Sequence, residues 1–346
     1  MKLGVVVNLL GSAEEGQTTY RIASRAAQRG HEVWVMSAGR FSLEPDGRVR
    51  AHAQRAEPPP HAPLHAAHAA FGRAGARKEW IAVDDFDVLL LRSNPAAQTP
   101  WAQHAGIHFG RIAMGRGCIV LNDPSGLSRA MTKLYLRGFP EFVQPRTLVT
   151  RSNERIEAFG REQGAMVLKP LMGYGGRGVF VVGPADMKNL DGIIWAIARD
   201  GYVIAQEYLP AAAEGDTRLF LMNGVPLRVD GRHAAFRRIR SGGDVRSNVH
   251  AGGRIRNANV DAKMLEIAEA VRPRLVEDGM FLVGLDIVGD KLLEINVFSP
   301  GGLGNASRLE DVDFTLAVVE ALERKAQIAH APESERVRSN VELSTL

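Results

Sequence analysis

One cysteine in 346 residues, Cys118, leaves no intramolecular disulfide to form and suits a reducing compartment, so a cytoplasmic location is expected. Aromatic residues are only 6% of the chain, and its basic residues are scattered, without the interleaved rings on which unpaired bases stack. Nucleic acid is therefore not expected as a partner. No stretch approaches the ~20 unbroken apolar residues of a membrane span, so no membrane association is expected. The opening MKLGVVVNLLGS carries one lysine and a short apolar run. An amphipathic pattern follows it and no small-residue cleavage site does, so it reads as a first β-strand rather than a signal peptide. The phosphate-binding pattern GxxxxGK[ST] is also missing, which argues against a P-loop nucleotidase. What is present is ordinary for a globular protein: 45% hydrophobic, 24% charged, net charge +4 and a pI near 9.3. The length suits two or three domains.

The patterning predicts an α/β protein. Residues 2–8 read as a buried strand, 18–29 as a helix closed by Gly30, and 32–38 as the next strand, an order that favours a parallel sheet with a crossover helix. Two more strands at 86–92 and 117–122 complete a Rossmann-like domain over 1–124. Residues 51–78, rich in Ala, Pro and His, read as a solvated helix or loop; His61, His65 and His68 lack a cysteine or carboxylate at ligand spacing. A helix at 128–139, strands at 146–150, 166–171 and 179–182, and helices at 153–163 and 192–199 suggest a small second domain over 125–205. The strand at 202–209 leads into a third over 206–326, with a hairpin turning at Asn223-Gly224 and a helix at 261–277. Residues 327–346 are polar and read as a loose tail.

Chemistry concentrates in three places. In the hairpin at 281–297, a two-residue turn at 289–290 would put Asp286 and Glu294 on opposite faces. A three-residue loop at 289–291 pairs 286 with 294 and 288 with 292. It makes one face wholly apolar (Val283, Leu285, Ile287, Leu293, Ile295, Val297) and gathers Asp286, Glu294 and Asn296 on the other. Two carboxylates and a carboxamide form an oxygen-donor set suited to magnesium, or manganese in its place. The second place is LKPLMGYGGRGVFVV, where Gly173, Gly175 and Gly178 satisfy GxGxxG. A dinucleotide fingerprint needs a helix after the glycines; here a strand follows. The segment, with Gly176, reads instead as a flexible hairpin loop whose backbone N–H groups cover phosphates, and Lys169 precedes it. The third place, 240–257, is glycine-rich and basic and predicts a flap over bound substrates.

Lys133, LKPL with the glycine loop, AQEYLP, GDTR, RIRSGGDVRSNVHAGGR and VGLDIVGDKLLEIN occur in the order found in bacterial glutathione synthetases. The chain resembles that family over about 1–325. The resemblance implies an ATP-grasp fold, two α+β subdomains gripping ATP, preceded by the Rossmann-like domain. It implies an ATP-dependent carboxylate–amine ligase acting through an acyl phosphate on small-molecule acid and amine substrates, with glutathione synthesis from γ-glutamylcysteine and glycine as the leading expectation. It assigns Lys133, Lys169 and the glycine loop to ATP phosphates, and Gln206, Glu207, Tyr208 and Leu209 to the adenine and ribose. Asp286, Glu294 and Asn296 fall to Mg2+, and Arg218, Arg238, Asn248, Gly252 and Gly253 to the substrate side. The pattern departs from the family at Arg92-Ser93-Asn94-Pro95 and at Ser299-Pro300-Gly301-Gly302, both near the acceptor substrates by the same resemblance. A related ligase for another acid–amine pair and a non-catalytic ATP-binding protein are the competing readings, and a homo-oligomer stays open.

Overall fold

A computed structural model describes residues 1–10, 17–57, 76–173, 175–199, 201–239 and 254–330. The N-terminal sheet contains β1 (Lys2–Val7), β2 (Glu32–Ser37), β3 (Phe41–Leu43), β4 (Val49–Arg55), β5 (Lys78–Ala82), β6 (Val88–Leu91) and β7 (Ile119–Leu121). Its central strands run parallel in the order β2-β1-β6-β7. Both faces are buried, so β1 is apolar at nearly every position: Leu3, Val5 and Val7 join one hydrophobic cluster and Val6 the other. Helix α1 (Thr18–Gln28) covers the first face with Ile22 and Ala23; α2 (Ala105–Met114) covers the second with Ile107 and Ala113.

Part of the 51–78 segment departs from the expected helix or loop. Residues 51–55 belong to β4, which pairs antiparallel with β5, β3 and β2. Alanines at 51 and 53 alternate inward there, so a composition that suggested no core serves the close packing beneath Trp34 and Ile81. His61, His65 and His68 lie outside the described residues. The helix expected at 128–139 is divided: α3 (Pro124–Arg129), capped by the Asp123 carboxylate, stops early, and a 3-10 turn over Lys133–Gly138 begins after Thr132.

A four-stranded antiparallel sheet follows, made of β8 (Thr147–Thr150), β9 (Met166–Pro170), β10 (Phe180–Val182) and β11 (Val203–Glu207) in the order β10-β9-β11-β8. Helices α4 (Asn153–Gln163) and α5 (Leu190–Ala198) complete this unit. Its core, including Ile156, Met166, Leu168, Ile194 and Val203, is a hydrophobic cluster of its own.

The third unit contains β12 (Asp216–Met222), β13 (Val225–Pro226), β14 (Arg228–Val229), β15 (Arg232–His233), β16 (Ala235–Ile239), β17 (Arg254–Arg256), α6 (Ala262–Glu277), β18 (Leu282–Val288) and β19 (Lys291–Asn296). The main sheet runs β17-β16-β12-β18-β19. Asn223 and Gly224, both at positive φ, turn β12 into β13. Finally α7 (Leu303–Glu310) and α8 (Phe314–His330) return to the start of the chain: Val318 and Leu322 share a cluster with Leu3 and Val5. The helix extends past the expected tail boundary at 327 as far as His330; residues 331–346 lie outside the described ones. No helix among the described residues is long and apolar enough to cross a membrane.

Candidate active site

The 281–297 hairpin takes neither of the two simple registers. Val288 pairs with Lys291 across a two-residue Gly289-Asp290 turn, and Ile287 pairs with Leu292; a bulge then restores the pairing of Asp286 with Glu294 and of Gly284 with Asn296. The two-residue turn and the shared carboxylate face coexist because β19 carries one extra residue. The expected apolar face needs one correction as a result: Leu292, not Leu293, enters the core, and Leu293 stays partly exposed.

Cross-strand neighbours build the polar face. Arg218 of β12 lies opposite Asp286, and Asp216 opposite Arg238 of β16. Arg218 is bidentate on Asp286, Nε to Oδ1 and Nη2 to Oδ2 both at 2.6 Å. Arg238 reaches the same Oδ2 at 2.8 Å and also pairs with Asp216. Asn296 Nδ2 donates to Asp286 Oδ2 at 3.2 Å. Burial alone would raise the Asp286 carboxyl, but Arg218 and Arg238 hold it well below the usual carboxylate range. Arg238, despite its own desolvation, is held more firmly charged by Asp286 and Asp216. Gly284 makes room for this arrangement: a Cβ there would stand 3.1 Å from Pro300 and 3.3 Å from the Arg218 Cδ.

The lysines come from the other side. Lys169, on β9, donates to Gln206 Oε1 at 3.0 Å, and Gln206 is itself held by Thr147 Oγ1 at 3.1 Å. Burial pulls the Lys169 ammonium down to about 8, against the pull of Glu294 and helped by the charge of Lys133. Lys133 is lowered by burial too, again opposed by Glu294. Lys133 Nζ donates to the Gly173 carbonyl at 3.1 Å, which ties the 3-10 turn to the glycine loop. Gly175, Gly176 and Gly178 have φ of 65°, 75° and 70°, a left-handed run that side chains would resist. Gln206 and Glu207 end β11 and Tyr208 and Leu209 follow it; Glu207 accepts from the Arg146 N–H at 2.7 Å. Asn248, Gly252, Gly253 and most of the predicted flap lie outside the described residues.

The donor set fits a hard divalent cation. Asp286, Glu294 and Asn296 offer only oxygen, Glu294 has no ion pair among the described residues, and the Asn296 amide turns its nitrogen to Asp286, which leaves its oxygen available. Asp286 lies on the same face with its oxygens already bound by Arg218 and Arg238.

The sequence reading missed a tether under Lys133. Tyr135 Oη donates to Asp278 at 2.7 Å, and Arg129 and Arg274 bind the same buried carboxylate. Arg274 lies at helical spacing from Asp278, but Tyr135 and Arg129 are too distant in sequence for spacing to reveal. It also missed Asn122, whose amide bonds to the backbone of Phe281, Leu282 and Val297 and so joins the N-terminal sheet to the 281–297 hairpin.

The family model for the N-terminal domain of prokaryotic glutathione synthetase matches residues 1–128, and that for its ATP-grasp domain matches 132–311. Among relatives, the glutathione synthetase of Synechococcus elongatus is 33% identical over 93% of this chain and 99% of its own. That of Vibrio cholerae is 32% identical over 94% and 98%. Solved structures with the same fold include the ATP-grasp ligase PsnB with its minimal precursor (TM-score 0.59, 19% identity, 94% of this chain and 99% of that one). The D-cycloserine synthetase DcsG is a second (TM-score 0.58, 16% identity, 92% and 99%). The order of sheets, the facing lysine and carboxylate walls and the full-length matches lead to one assignment: this chain belongs to the prokaryotic glutathione synthetase family, an N-terminal domain joined to an ATP-grasp domain.

Proposed function

We propose that the protein is an ATP-dependent carboxylate–amine ligase that joins γ-glutamylcysteine to glycine, giving glutathione, ADP and phosphate. The observation that carries this reading is the meeting of Lys133, Lys169 and the glycine hairpin with Asp286, Glu294 and Asn296, in a member of this family. A carboxylate acylates an amine poorly. Attack of its oxygen on the terminal phosphoryl group of ATP releases ADP and leaves an acyl phosphate; the amine then attacks the carbonyl, phosphate leaves, and the amine gives up its proton.

The chain's own residues supply position and charge. Lys133 and Lys169 offset the phosphate charge, and the left-handed glycines turn backbone N–H groups toward it. Gln206, Glu207, Tyr208 and Leu209 would receive the adenine and ribose. Asp286, Glu294 and Asn296 would hold magnesium, which would supply positive charge to offset that of the transferring phosphoryl group. Arg218 and Arg238, whose forks already clasp Asp286 and Asp216, would offer substrate carboxylates only their remaining N–H groups, with Asn248, Gly252 and Gly253 alongside. We assign the protein to the cytoplasm, in keeping with its single buried thiol and the supply of ATP there.

The test is phosphate release from ATP across a panel of acids and amines. Fast turnover is expected only with γ-glutamylcysteine and glycine together, with ADP and phosphate as products. AMP and pyrophosphate would sink the acyl-phosphate route. A different preferred pair would move the protein to another ligase of the same fold.

A further inference from the structure

Arg92 differs from the other buried arginines near the cleft. It follows β6 at the carboxyl end of the N-terminal sheet and is 7% exposed. Its Nε donates to Thr19 Oγ1 at 3.2 Å and its Nη2 to the Pro300 carbonyl at 3.0 Å. No carboxylate among the described residues pairs with it, and Nη1 has no partner there. Burial alone acts on the guanidinium, pulling it down to about 10, so it stays charged at neutral pH. A buried charge without a counter-charge is costly, and one hydroxyl and one carbonyl offset only part of that cost.

Among the described residues the surroundings add positive potential instead of relieving it. Thr19 sits in the first turn of α1, whose N-cap Gln17 makes no side-chain capping bond and whose first turn holds no acidic residue. A helix start without an acidic residue in its first turn keeps the positive end of the helix dipole. The loop that holds Arg92 also holds the active-site arginine: the Gly301 carbonyl, next to Pro300, accepts from Arg218 Nη1 at 3.2 Å. Arg218 has Asp286 and Arg238 has Asp216; Arg92, bound to the neighbouring carbonyl, has neither.

We propose that Arg92 is a specificity-determining residue that receives a non-reacting carboxylate of a substrate. This rests on the ligase reading above, in which two carboxylates survive the reaction: one on the γ-glutamyl donor and one on the amino-acid acceptor. The chemistry is the same for both, a planar anion on a guanidinium with a free N–H edge.

Calorimetric titration of wild type, Arg92→Met and Arg92→Lys distinguishes the two sources. One arm compares glycine with glycinamide. The other compares γ-glutamylcysteine with the analogue whose glutamyl α-carboxylate is an amide. Wild type is expected to prefer one acid over its amide by about ten- to a hundred-fold, the span of a charge-assisted hydrogen bond. Arg92→Met should erase that preference, Arg92→Lys should keep part of it, and ATP affinity should move less than about threefold, within the scatter of a remote substitution. The arm that responds names the substrate. A wild type without preference in either arm, or an Arg92→Met that keeps it, overturns the proposal; a purely structural arginine would lower Tm without touching the ratio. Should Arg92→Met fail to fold, Thr19→Val frees Nε while keeping the charge and should shrink the preference; an unchanged ratio there overturns the proposal equally. Wild-type turnover with γ-glutamylcysteine and glycine is measured separately. Its absence would refute the ligase reading, while the binding ratios decide Arg92 without it.

Discussion

The β8–β11 sheet and the β12–β19 sheet meet at Lys169 and Glu294, and they hold charge in opposite ways. The first presents a lysine braced, among the described residues, by the Gln206 amide and pulled toward neutrality by burial. The second presents arginines and carboxylates already locked to one another, with Asp286 and Asp216 between Arg218 and Arg238. Their cores differ as well. β18 is buried at all seven positions and belongs to a cluster shared with the N-terminal domain, whereas β8 is half-buried throughout and packs in a separate, smaller core. A small independent core opens at lower cost than one continuous with its neighbour. The pattern suits a fixed wall holding its charges in place and a lighter wall whose lysine gains its counter-charge when phosphate arrives.

The largest effect expected from breaking this contrast is at Glu294. Glu294→Gln should lower kcat by about a thousandfold, the scale of losing a cation clamp on the transferring phosphoryl group, while Tm shifts little. Phosphate release at saturating magnesium checks the first part and a thermal melt the second; near-normal turnover would remove Glu294 from the metal set. Asp286→Asn differs because it also strands two guanidinium groups. It should lose activity and about 3–5 kcal/mol of stability in urea unfolding. A stability loss no larger than that of Glu294→Gln would mean the fixed wall is not locked by its own ion pairs.

Lys169 tests the other wall. Its folded-state pKa near 8 lies below the ordinary lysine value of 10.5. The unfolded chain therefore holds the extra proton between those values, and this group's contribution makes stability rise with pH from about 8 to 10.5. Nucleotide binding works the other way: phosphate favours the charged ammonium, so ATP affinity should fall as pH climbs through 8. Lys169→Met should weaken ATP by roughly a hundredfold, as for a charge-assisted contact, and flatten that decline. A profile unchanged in the variant would assign the titration elsewhere. The smallest effect is expected at the tether: Tyr135→Phe removes one hydrogen bond to the buried Asp278 and should cost about 1.5–3 kcal/mol. Chemical unfolding measures it, and a neutral result would show that Arg129 and Arg274 suffice.

Much of this was legible in the sequence wherever the signal was local. The β1-α1-β2 order, the Asn223-Gly224 turn and the glycine loop each follow from a few adjacent residues. The shared face of Asp286 and Glu294 was legible too, but its mechanism was not. Alternation assumes a regular pleat, and the extra residue at Leu293 that reconciles a two-residue turn with the pairing leaves no mark in composition. The β4–β5 pair was hidden because alanine carries little strand signal, and α7 because it starts from Gly302 at φ 95° under the Phe236 ring. Arg92 and Asp278 were invisible for a different cause: what matters about each is a partner, or the want of one, far away along the chain.

The closing of one face of the first sheet by α8 has a consequence for how the protein is made. Leu3 and Val5 are translated about three hundred residues before Val318 and Leu322, with which they share a hydrophobic cluster. At 5–20 residues per second, the nascent N-terminal sheet must wait roughly 10–40 s after β7 for its final helix. In that interval an apolar face stands open to any chaperone at the exit tunnel. A chain broken off before Phe314 would leave its first sheet without the cover of α8.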